Sequence, residues 1–365
     1  MGWLSGYSHR IRFKIDHTKI DSDLTHFPVT LFLTEDNADA VFNELGSNYK
    51  KIAATSDDGT TQLYVEVEAW DSANKRAVLH ISRSSWTISS SADTYFYLYY
   101  DASAADNTTY VGDPGDSVAA NVWDSNFAGV WHLSQDPTGG SGCIKDSTSN
   151  SNHGTPQGSM TSGDLVEGKV GKALDFDGSD DYVNCGNNSV LDITDTLTIE
   201  AVIRPSITLD SSLSYTKGIV SRQHVPTSGQ DTYNLVINTD GKLSLGSHGG
   251  NIQSTKDSWS AGVDYYVAGT YDSSTLSGDL FVDGVKETLS VDNYDSMSGS
   301  TNDLVIGVLV PGTDEWPGLI DEVRISNTVR SDAWIKATYY TLFGLLVQRL
   351  QEEERVNALF FGFCF

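Results

Sequence analysis

The chain has 365 residues, which is long enough for two or three domains with separate apolar cores. Its 23 lysines and arginines stand against 49 aspartates and glutamates, which gives a formal net charge of −26 at pH 7. A surface this acidic repels phosphate backbones and anionic lipid headgroups, so the composition argues against nucleic acids and membrane surfaces as partners.

The first third of the chain is rich in segments that alternate apolar and polar residues, as half-buried antiparallel strands do. One short helix is predicted within residues 31–55, with Thr34 or Asp36 as its cap and Gly46 as its stop. These elements predict a β-sandwich-like domain over residues 1–121. The predicted strands are RIRFKI (10–15), FPVTLFL (27–33), LYVEVEAW (63–70), AVLHIS (77–82) and DTYFYLYY (93–100).

A second region follows the polar stretch 101–121 and carries roughly ten short strand signals separated by turn residues. This pattern is typical of a two-sheet sandwich, and the region is predicted to extend over residues 122–340. The predicted strands are KALDFD (172–177), YVNCG (182–186), LTIEAVIRP (197–205), GIVSR (218–222), YNLVIN (233–238), KLSLGS (242–247), DYYVAGTYD (264–272), GDLFVDGV (278–285), DLVIGVL (303–309) and LIDEVRIS (319–326).

From Trp334 the periodicity becomes helical, and the chain ends in the apolar residues FFGFCF. The sequence predicts a short helical and apolar tail over residues 341–365. This tail docks on the sandwich or on another subunit, or the chain is not naturally complete here. The N-terminus shows no apolar signal segment, and no run of eighteen apolar residues predicts a membrane span. With three cysteines, free thiols are preferred over a Cys143–Cys185 bridge.

Several motifs occur in an order that resembles known families. The runs GKVGKALDFDGSDDYV, LDITDTLTIEAVIRP and GLIDEVRIS resemble the laminin-G-like, concanavalin A-like (LamG/pentraxin) jelly-roll family. The N-terminal runs WLSGYSHRIRFKID, LTHFPVTLFLT and YFYLYY resemble the small β domain family DUF2341. The resemblance implies an all-β protein of two domains. It is weak for function, because this fold hosts lectins, adhesion modules, virion proteins and some glycosidases.

The stretch DFDGSDDYVN (175–184) crowds four carboxylates into one turn. In LIDEVRI, alternation places Asp321 on an apolar face with Val323, where an ionised carboxylate needs hydrogen-bond donors or a cation. The jelly-roll resemblance implies that the acidic turn and this strand lie close together and bind calcium. The candidate Ca²⁺ ligands are therefore Asp177, Asp180, Asp181 and Asp321. Alternatively, Asp177 only shapes the turn and Asp321 only accepts backbone N–H bonds.

The sequence predicts no catalytic residues and no enzyme. A retaining glycosidase needs two carboxyl groups about 5 Å apart. The chain offers only EVE (66–68) in the first domain, a lone Glu200, and an IDE run whose adjacent acids point to opposite faces of a strand. The segment GDLVEGKV (163–170) is rejected as a phosphate-binding loop, because Val170 replaces the required hydroxyl and no apolar strand precedes it.

The predicted function is non-catalytic recognition of glycans or other surface polymers, or adhesion, with calcium shaping the loops. The candidate ligand-binding residues are Arg222, Gln223, His224, Tyr233 and Trp316. For Trp316, packing beneath the IDE strand is the preferred interpretation, because most tryptophans are largely buried. The alternative function is a structural component of a virion, fibre or surface layer that assembles with itself or other subunits; a glycoside hydrolase is a distant third. Either of the first two places the protein outside the cell, at the cell surface or in a virion.

Overall fold

A computed structural model describes residues 2–222, 233–247 and 250–355. Strands dominate these residues, which confirms the all-β fold class. The strands are β1 His9–Ile15, β2 Leu24–Thr25, β3 Val29–Leu33, β4 Ile52–Ser56, β5 Gln62–Asp71, β6 Arg76–Ser82, β7 Thr87–Ile88, β8 Thr94–Tyr100, β9 Val111–Gly112, β10 Phe127–Trp131, β11 Thr155–Gln157, β12 Leu165–Glu167, β13 Lys172–Asp177, β14 Tyr182–Asn184, β15 Thr196–Pro205, β16 Lys217–Ser221, β17 Asn234–Ile237, β18 Leu243–Ser247, β19 Gly250–Ser254, β20 Tyr265–Asp272, β21 Ser277–Val282, β22 Val285–Lys286, β23 Leu289–Asn293, β24 Val305–Ile306, β25 Pro317–Ser326 and β26 Val347–Glu354.

Helical structure is limited within the described residues. The two α-helices are α1 Glu35–Leu45 and α2 Asp332–Leu342, and neither is long and apolar enough to cross a membrane. The short 3₁₀ helices are His17–Lys19, Tyr49–Lys51, Ala119–Val122, Pro137–Gly139, Ser162–Asp164 and Ser189–Leu191. The predicted caps of α1 are confirmed: Thr34 is its N-cap, and Gly46 ends it with a positive φ of 53°.

The first region is built on one eight-stranded sheet. Its order is β26-β1-β8-β4-β5-β6-β3, and β9 pairs with β5 in parallel. β5 pairs with β4 near its start and with β6 along most of its length, so it belongs to both halves of the sheet. Alternation along β1 buries Ile11, Phe13 and Ile15 in the core that this sheet shares with α1 and part of α2.

The second region is a jelly-roll sandwich of two eight-stranded sheets. The back sheet has the order β12-β13-β25-β15-β20-β21-β22, with β10 paired to β25. The front sheet has the order β11-β14-β24-β16-β17-β18-β19-β23. Residues such as Trp131, Leu197 and Leu245 fill the space between the sheets and are fully buried. Cys143 and Cys185 are free thiols, as predicted.

The C-terminal segment corrects the prediction of a helical tail, which holds only as far as Leu342. After Gly344, whose φ is +70°, the chain forms β26 and pairs with β1 in antiparallel register. The leucines of this segment do not form a buried helix face, since Leu345 and Leu350 are 46% and 42% exposed. The reason is non-local: without β26, β1 would be left with an unpaired edge. Residues 356–365, which include Cys364, lie outside the described residues.

The outer face of the back sheet is buried against the first region. Val202, Tyr266 and Ala268 on that face pack with Ile335 of α2 and with Val78 of β6. The front sheet has no such cover from the first region in the contacts of the described residues. The outer face of the front sheet and the loops at its ends are therefore the jelly-roll surfaces left for a ligand.

Candidate functional site

The predicted acidic turn connects the back sheet to the front sheet. β13 buries Phe176 and ends at Asp177, Gly178 reverses the chain with a φ of +77°, and Asp181 leads into β14. Asp177 Oδ1 accepts hydrogen bonds from the N–H groups of Ser179 at 2.7 Å and Asp180 at 3.2 Å. Asp177 therefore shapes the turn, as the simpler prediction holds.

The same turn also concentrates negative charge. One carboxylate oxygen from each of Asp177, Asp180 and Asp181 lies within 4.8 Å of the others. Within the described ranges, no lysine, arginine or histidine forms an ion pair with these three groups. Burial raises the pKa of Asp181, and the charge of Asp177 adds to this, although N–H groups of Asp177 and Ser159 donate to its carboxylate. A cation at this point would relieve the repulsion.

Asp321 does not share the face that alternation predicted. A β-bulge interrupts β25, because Arg324 pairs with Glu200 and Asp321 pairs with Val202, leaving one extra residue on β25. The bulge residue Glu322 has a φ of +54°, unusual for a residue with a side chain. The prediction that Asp321 and Val323 lie on one face is therefore wrong: Val323 is in the jelly-roll core and Asp321 is on the outer face of the back sheet.

The register of β13 and β25 separates Asp321 from the acidic turn. Asp177 pairs with Pro317, and Asp321 lies four residues further along β25, about 13 Å away at the usual rise of a strand. Asp321 Oδ2 accepts from the N–H groups of Lys169 at 3.0 Å and Val170 at 2.9 Å. The structure thus brings three of the four predicted ligands together. The fourth instead accepts hydrogen bonds from the hairpin turn that follows β12, at the end of the GDLVEGKV segment.

The predicted ligand-binding residues are mostly interior. Trp316 and Tyr233 have no exposed surface and Arg222 is 1% exposed, so in this conformation none of them can contact a ligand from solvent. Trp316 donates its indole N–H to the carbonyl of Leu319 at 3.3 Å, which confirms the preferred interpretation that it packs beneath the IDE strand. Gln223 and His224 lie outside the described residues.

The structure reveals a row of polar side chains that the sequence did not predict. Register aligns five residues across the outer face of the front sheet, since directly paired residues in antiparallel strands share a face. The row, which we call the polar row, consists of Asn184, Ser221, Asn234, Asn251 and Asn293, with Val305 between the first two and Gly246 between Asn234 and Asn251. Its middle members are buried, and its ends are partly or fully exposed. No local sequence signal marks such a row, because it depends on the register of several strands.

The polar row begins next to the acidic turn. Tyr182 lies one residue after Asp181, is partly exposed, and shares the outer face with Asn184 two residues further along β14. The amide nitrogen of Asn184 donates to Asp303 Oδ2 at 2.8 Å. An aromatic ring, a carboxamide and a carboxylate therefore lie together within one strand length of the three clustered aspartates.

The carboxylates considered for catalysis do not face an open groove in the described part of the chain. Glu200 is buried under the first region and accepts from the hydroxyl of Tyr266 at 2.5 Å. Glu66 and Glu68 are also buried, in the contact between the two regions. None of these acids is accessible to a polysaccharide.

Residues 177–336 match the family model described as the concanavalin A-like lectin/glucanases superfamily, Laminin_G_3. This match supports the jelly-roll part of the resemblance, whereas the likeness of the first region to DUF2341 stays a prediction. A comparison with curated proteins gave no significant match.

The chain is also similar, at low sequence identity, to several solved structures. Domain 4 of AbnA, an extracellular arabinanase from Geobacillus stearothermophilus solved with arabinotriose, is 18% identical with a TM-score of 0.45 and covers 58% of this chain and 97% of its own. The CBM40 of a Ruminococcus gnavus sialidase, bound to α2,3-sialyllactose, is 16% identical with a TM-score of 0.36, covering 46% and 96%. Trypanosoma rangeli sialidase with the inhibitor DANA is 13% identical with a TM-score of 0.40, covering 76% and 44%.

Proposed function

We propose that the protein is a non-catalytic module that recognises glycans or similar surface polymers, with Ca²⁺ held by the acidic turn. The observation that carries the proposal is the position of three carboxylates without a cationic partner among the described residues, at the partly exposed start of β14. The match of residues 177–336 to a lectin and glucanase superfamily supports it.

The chemistry of the acidic turn suits calcium. Ca²⁺ takes six to eight oxygen ligands, and it accepts carboxylates, backbone carbonyls and waters. Asp177, Asp180 and Asp181 supply three carboxylates, and two of these residues are exposed, so water can complete the shell. The cation would fix the entry of β14 and hence the positions of Tyr182 and Asn184.

The chemistry of the polar row suits saccharides. Carboxamides and carboxylates bind sugar hydroxyls through paired hydrogen bonds, and an aromatic ring stacks on the apolar face of a sugar. Tyr182, Asn184 and Asp303 present these groups at one end of the row. Because the middle of the row is buried, the ligand would contact this exposed end of the row.

A glycan array probed with and without a calcium chelator tests this function. We expect saccharide binding that weakens at least about tenfold when calcium is removed, as lost ligands at a carboxylate site imply. The double substitution Asp180→Asn with Asp181→Asn should abolish Ca²⁺ binding in calorimetry, whereas the exposed Asp257→Asn should not change it. Tyr182→Ala should weaken saccharide binding and leave Ca²⁺ binding intact, with the exposed loop variant Tyr215→Ala as its control. Binding to no saccharide at any calcium concentration would reject the proposal.

The alternative role is structural, in a virion, fibre or surface layer. β26 forms an edge of the first sheet among the described residues, and its Leu350 is 42% exposed. An unpaired strand edge can template pairing with another chain, although three glutamates along β26 oppose this. Concentration-dependent assembly on size-exclusion chromatography, together with a negative glycan array, would favour this role. Both roles place the protein outside the cell, at its surface or in a particle.

A further inference from the structure

A cluster of ionisable side chains is buried where the first region meets the back sheet. Glu66 and Glu68 lie on β5, His80 lies on β6, His132 follows β10, and Glu322 is the bulge residue of β25. None of these five side chains has any exposed surface. The two regions therefore meet partly through buried histidines and carboxylates.

Four of these side chains have the spacing of metal ligands. One ligand atom from each of Glu68, His80, His132 and Glu322 lies within 4.8 Å of the others. His80 Nε2 is 2.8 Å from Glu68 Oε2 and 3.8 Å from Glu322 Oε1, and His132 Nδ1 is 3.7 Å from Glu68 Oε2. His132 Nδ1 also makes a direct hydrogen bond with Glu322 Oε1. A tetrahedral ion with bonds of about 2.0–2.1 Å separates its ligand atoms by about 3.3 Å. An ion at the centre would therefore replace the direct His80–Glu68 and His132–Glu322 contacts.

Polar side chains next to the two histidines orient their rings, as outer-shell groups do at a metal site. The second ring nitrogen of His132 faces Glu66 Oε2 at 3.4 Å, and that carboxylate also accepts from the indole of Trp123 at 2.7 Å. The second ring nitrogen of His80 contacts Thr30 Oγ1 at 3.1 Å. A carboxylate or hydroxyl on the far nitrogen fixes the tautomer of a metal-binding histidine.

Two further observations point to a missing cation. Glu66 Oε1 and Glu68 Oε1 are buried and have no hydrogen-bond partner in the described part of the chain. The buried groups on this contact are also rich in carboxyl groups, since five of them stand beside one guanidinium and two imidazoles. These groups are Glu66, Glu68, Glu200, Asp321, Glu322, Arg324, His80 and His132. An uncompensated buried charge is costly.

We propose that Glu68, His80, His132 and Glu322 bind one divalent transition metal ion, with Zn²⁺ as the best match. Two imidazoles and two carboxylates suit Zn²⁺, whereas Ca²⁺ and Mg²⁺ prefer sets made of oxygen alone. Because the four ligands are closed to solvent, the ion is structural and joins the two regions.

Metal analysis of the full-length protein tests the site. Protein produced in zinc-supplemented medium and washed with chelator should retain about one Zn²⁺ per chain by plasma mass spectrometry. Unfolding in chelator and refolding with Co²⁺ should give the visible absorption of tetrahedral cobalt. His132→Gln should lose both signals, and His9→Gln, which changes a partly exposed histidine of the first region, should keep them.

A second variant tests whether the cluster is a metal site or an ion-pair network without metal. Glu66→Gln leaves all four ligands in place and removes the carboxylate behind His132, so Zn²⁺ affinity should fall about 10- to 100-fold with the stoichiometry unchanged. The Zn²⁺ affinity of Glu66→Gln also tests the metal site if His132→Gln does not fold. Folded wild-type protein that retains no zinc and shows no tetrahedral cobalt spectrum would overturn the proposal, as would normal metal content in His132→Gln.

Discussion

The contact between Arg10 and Glu353 ties the C-terminal strand to the first sheet, and it gives a quantitative test of that pairing. Arg10 Nε and Nη2 donate to Glu353 Oε2 at 2.8 and 2.5 Å. The Arg10 residue is 4% exposed, and its guanidinium lies 3.9 Å from the centre of the Tyr97 ring. Glu353→Gln keeps the shape of the side chain and one acceptor but removes the charge that Arg10 faces.

The expected loss of stability follows from the exposure of the two partners. Breaking a fully buried ion pair costs about 3–5 kcal/mol, and a hydrogen bond to a charged group contributes about 1.5–3 kcal/mol. The Glu353 side chain is 24% exposed, and glutamine can still accept one of the hydrogen bonds. We therefore expect Glu353→Gln to lower the free energy of unfolding by about 2 kcal/mol. Glu354→Gln, at the exposed neighbouring position, should change it by less than about 0.5 kcal/mol.

Urea unfolding followed by tryptophan fluorescence measures both variants. The effect should also depend on pH. Burial raises the pKa of Glu353, but the hydrogen bonds from Arg10 outweigh it and hold the pKa below the ordinary value of 4.5. A depressed pKa in the folded state means that the stabilisation is present above pH 4.5 and is lost as the pH falls through the folded pKa. Equal stability of the two variants at neutral pH would refute the pairing of β26 with β1 through this contact.

Two further predictions concern packing. Trp334→Ala should lower the free energy of unfolding by about 3–5 kcal/mol in the same urea assay. The reason is that Trp334 is 6% exposed and packs edge-on against Phe27, with ring centres 4.9 Å apart. A loss below about 1 kcal/mol would contradict the position of α2. Gly307→Ala should destabilise the protein by clearly more than Gly312→Ala. Both glycines have positive φ, but an added Cβ at Gly307 would lie 2.5 Å from the ring of Phe176, while Gly312 has open space. Equal melting temperatures for the two variants would show that no such clash exists.

Local patterns predicted the strands well. The predicted strand KALDFD coincides with β13, and the cap and stop of α1 are the predicted Thr34 and Gly46. These features depend on residues close together in the chain, such as alternation along a strand or a glycine that supplies a positive φ. The turn role of Asp177 could be predicted for the same reason.

Features that depend on distant residues could not be predicted. β26 pairs with a strand more than 300 residues away in the sequence. The tail therefore forms a strand along the edge of the first sheet, although its sequence has helical periodicity. The bulge at Glu322 reversed the predicted orientation of Asp321, because alternation holds only while the register is unbroken. The polar row and the histidine–glutamate cluster each combine residues from several strands, and nothing in any one strand marks them.

The bulge in β25 also explains how one strand serves two purposes. A residue with a side chain in the left-handed region carries a conformational cost of the order of 1 kcal/mol, and it persists where the surroundings fix it. Here the bulge keeps both Ile320 and Val323 in the jelly-roll core, which strict alternation could not do, and it turns Asp321 outward beside Val202. Glu322 and Arg324 also point outward, and Arg324 Nη2 donates to Glu322 Oε2 at 2.5 Å. Asp321, Glu322 and Arg324 therefore all lie on the outer face of the back sheet. This sheet is opposite the proposed glycan surface, so the contact between the two regions and the binding of a ligand use separate faces of the jelly roll.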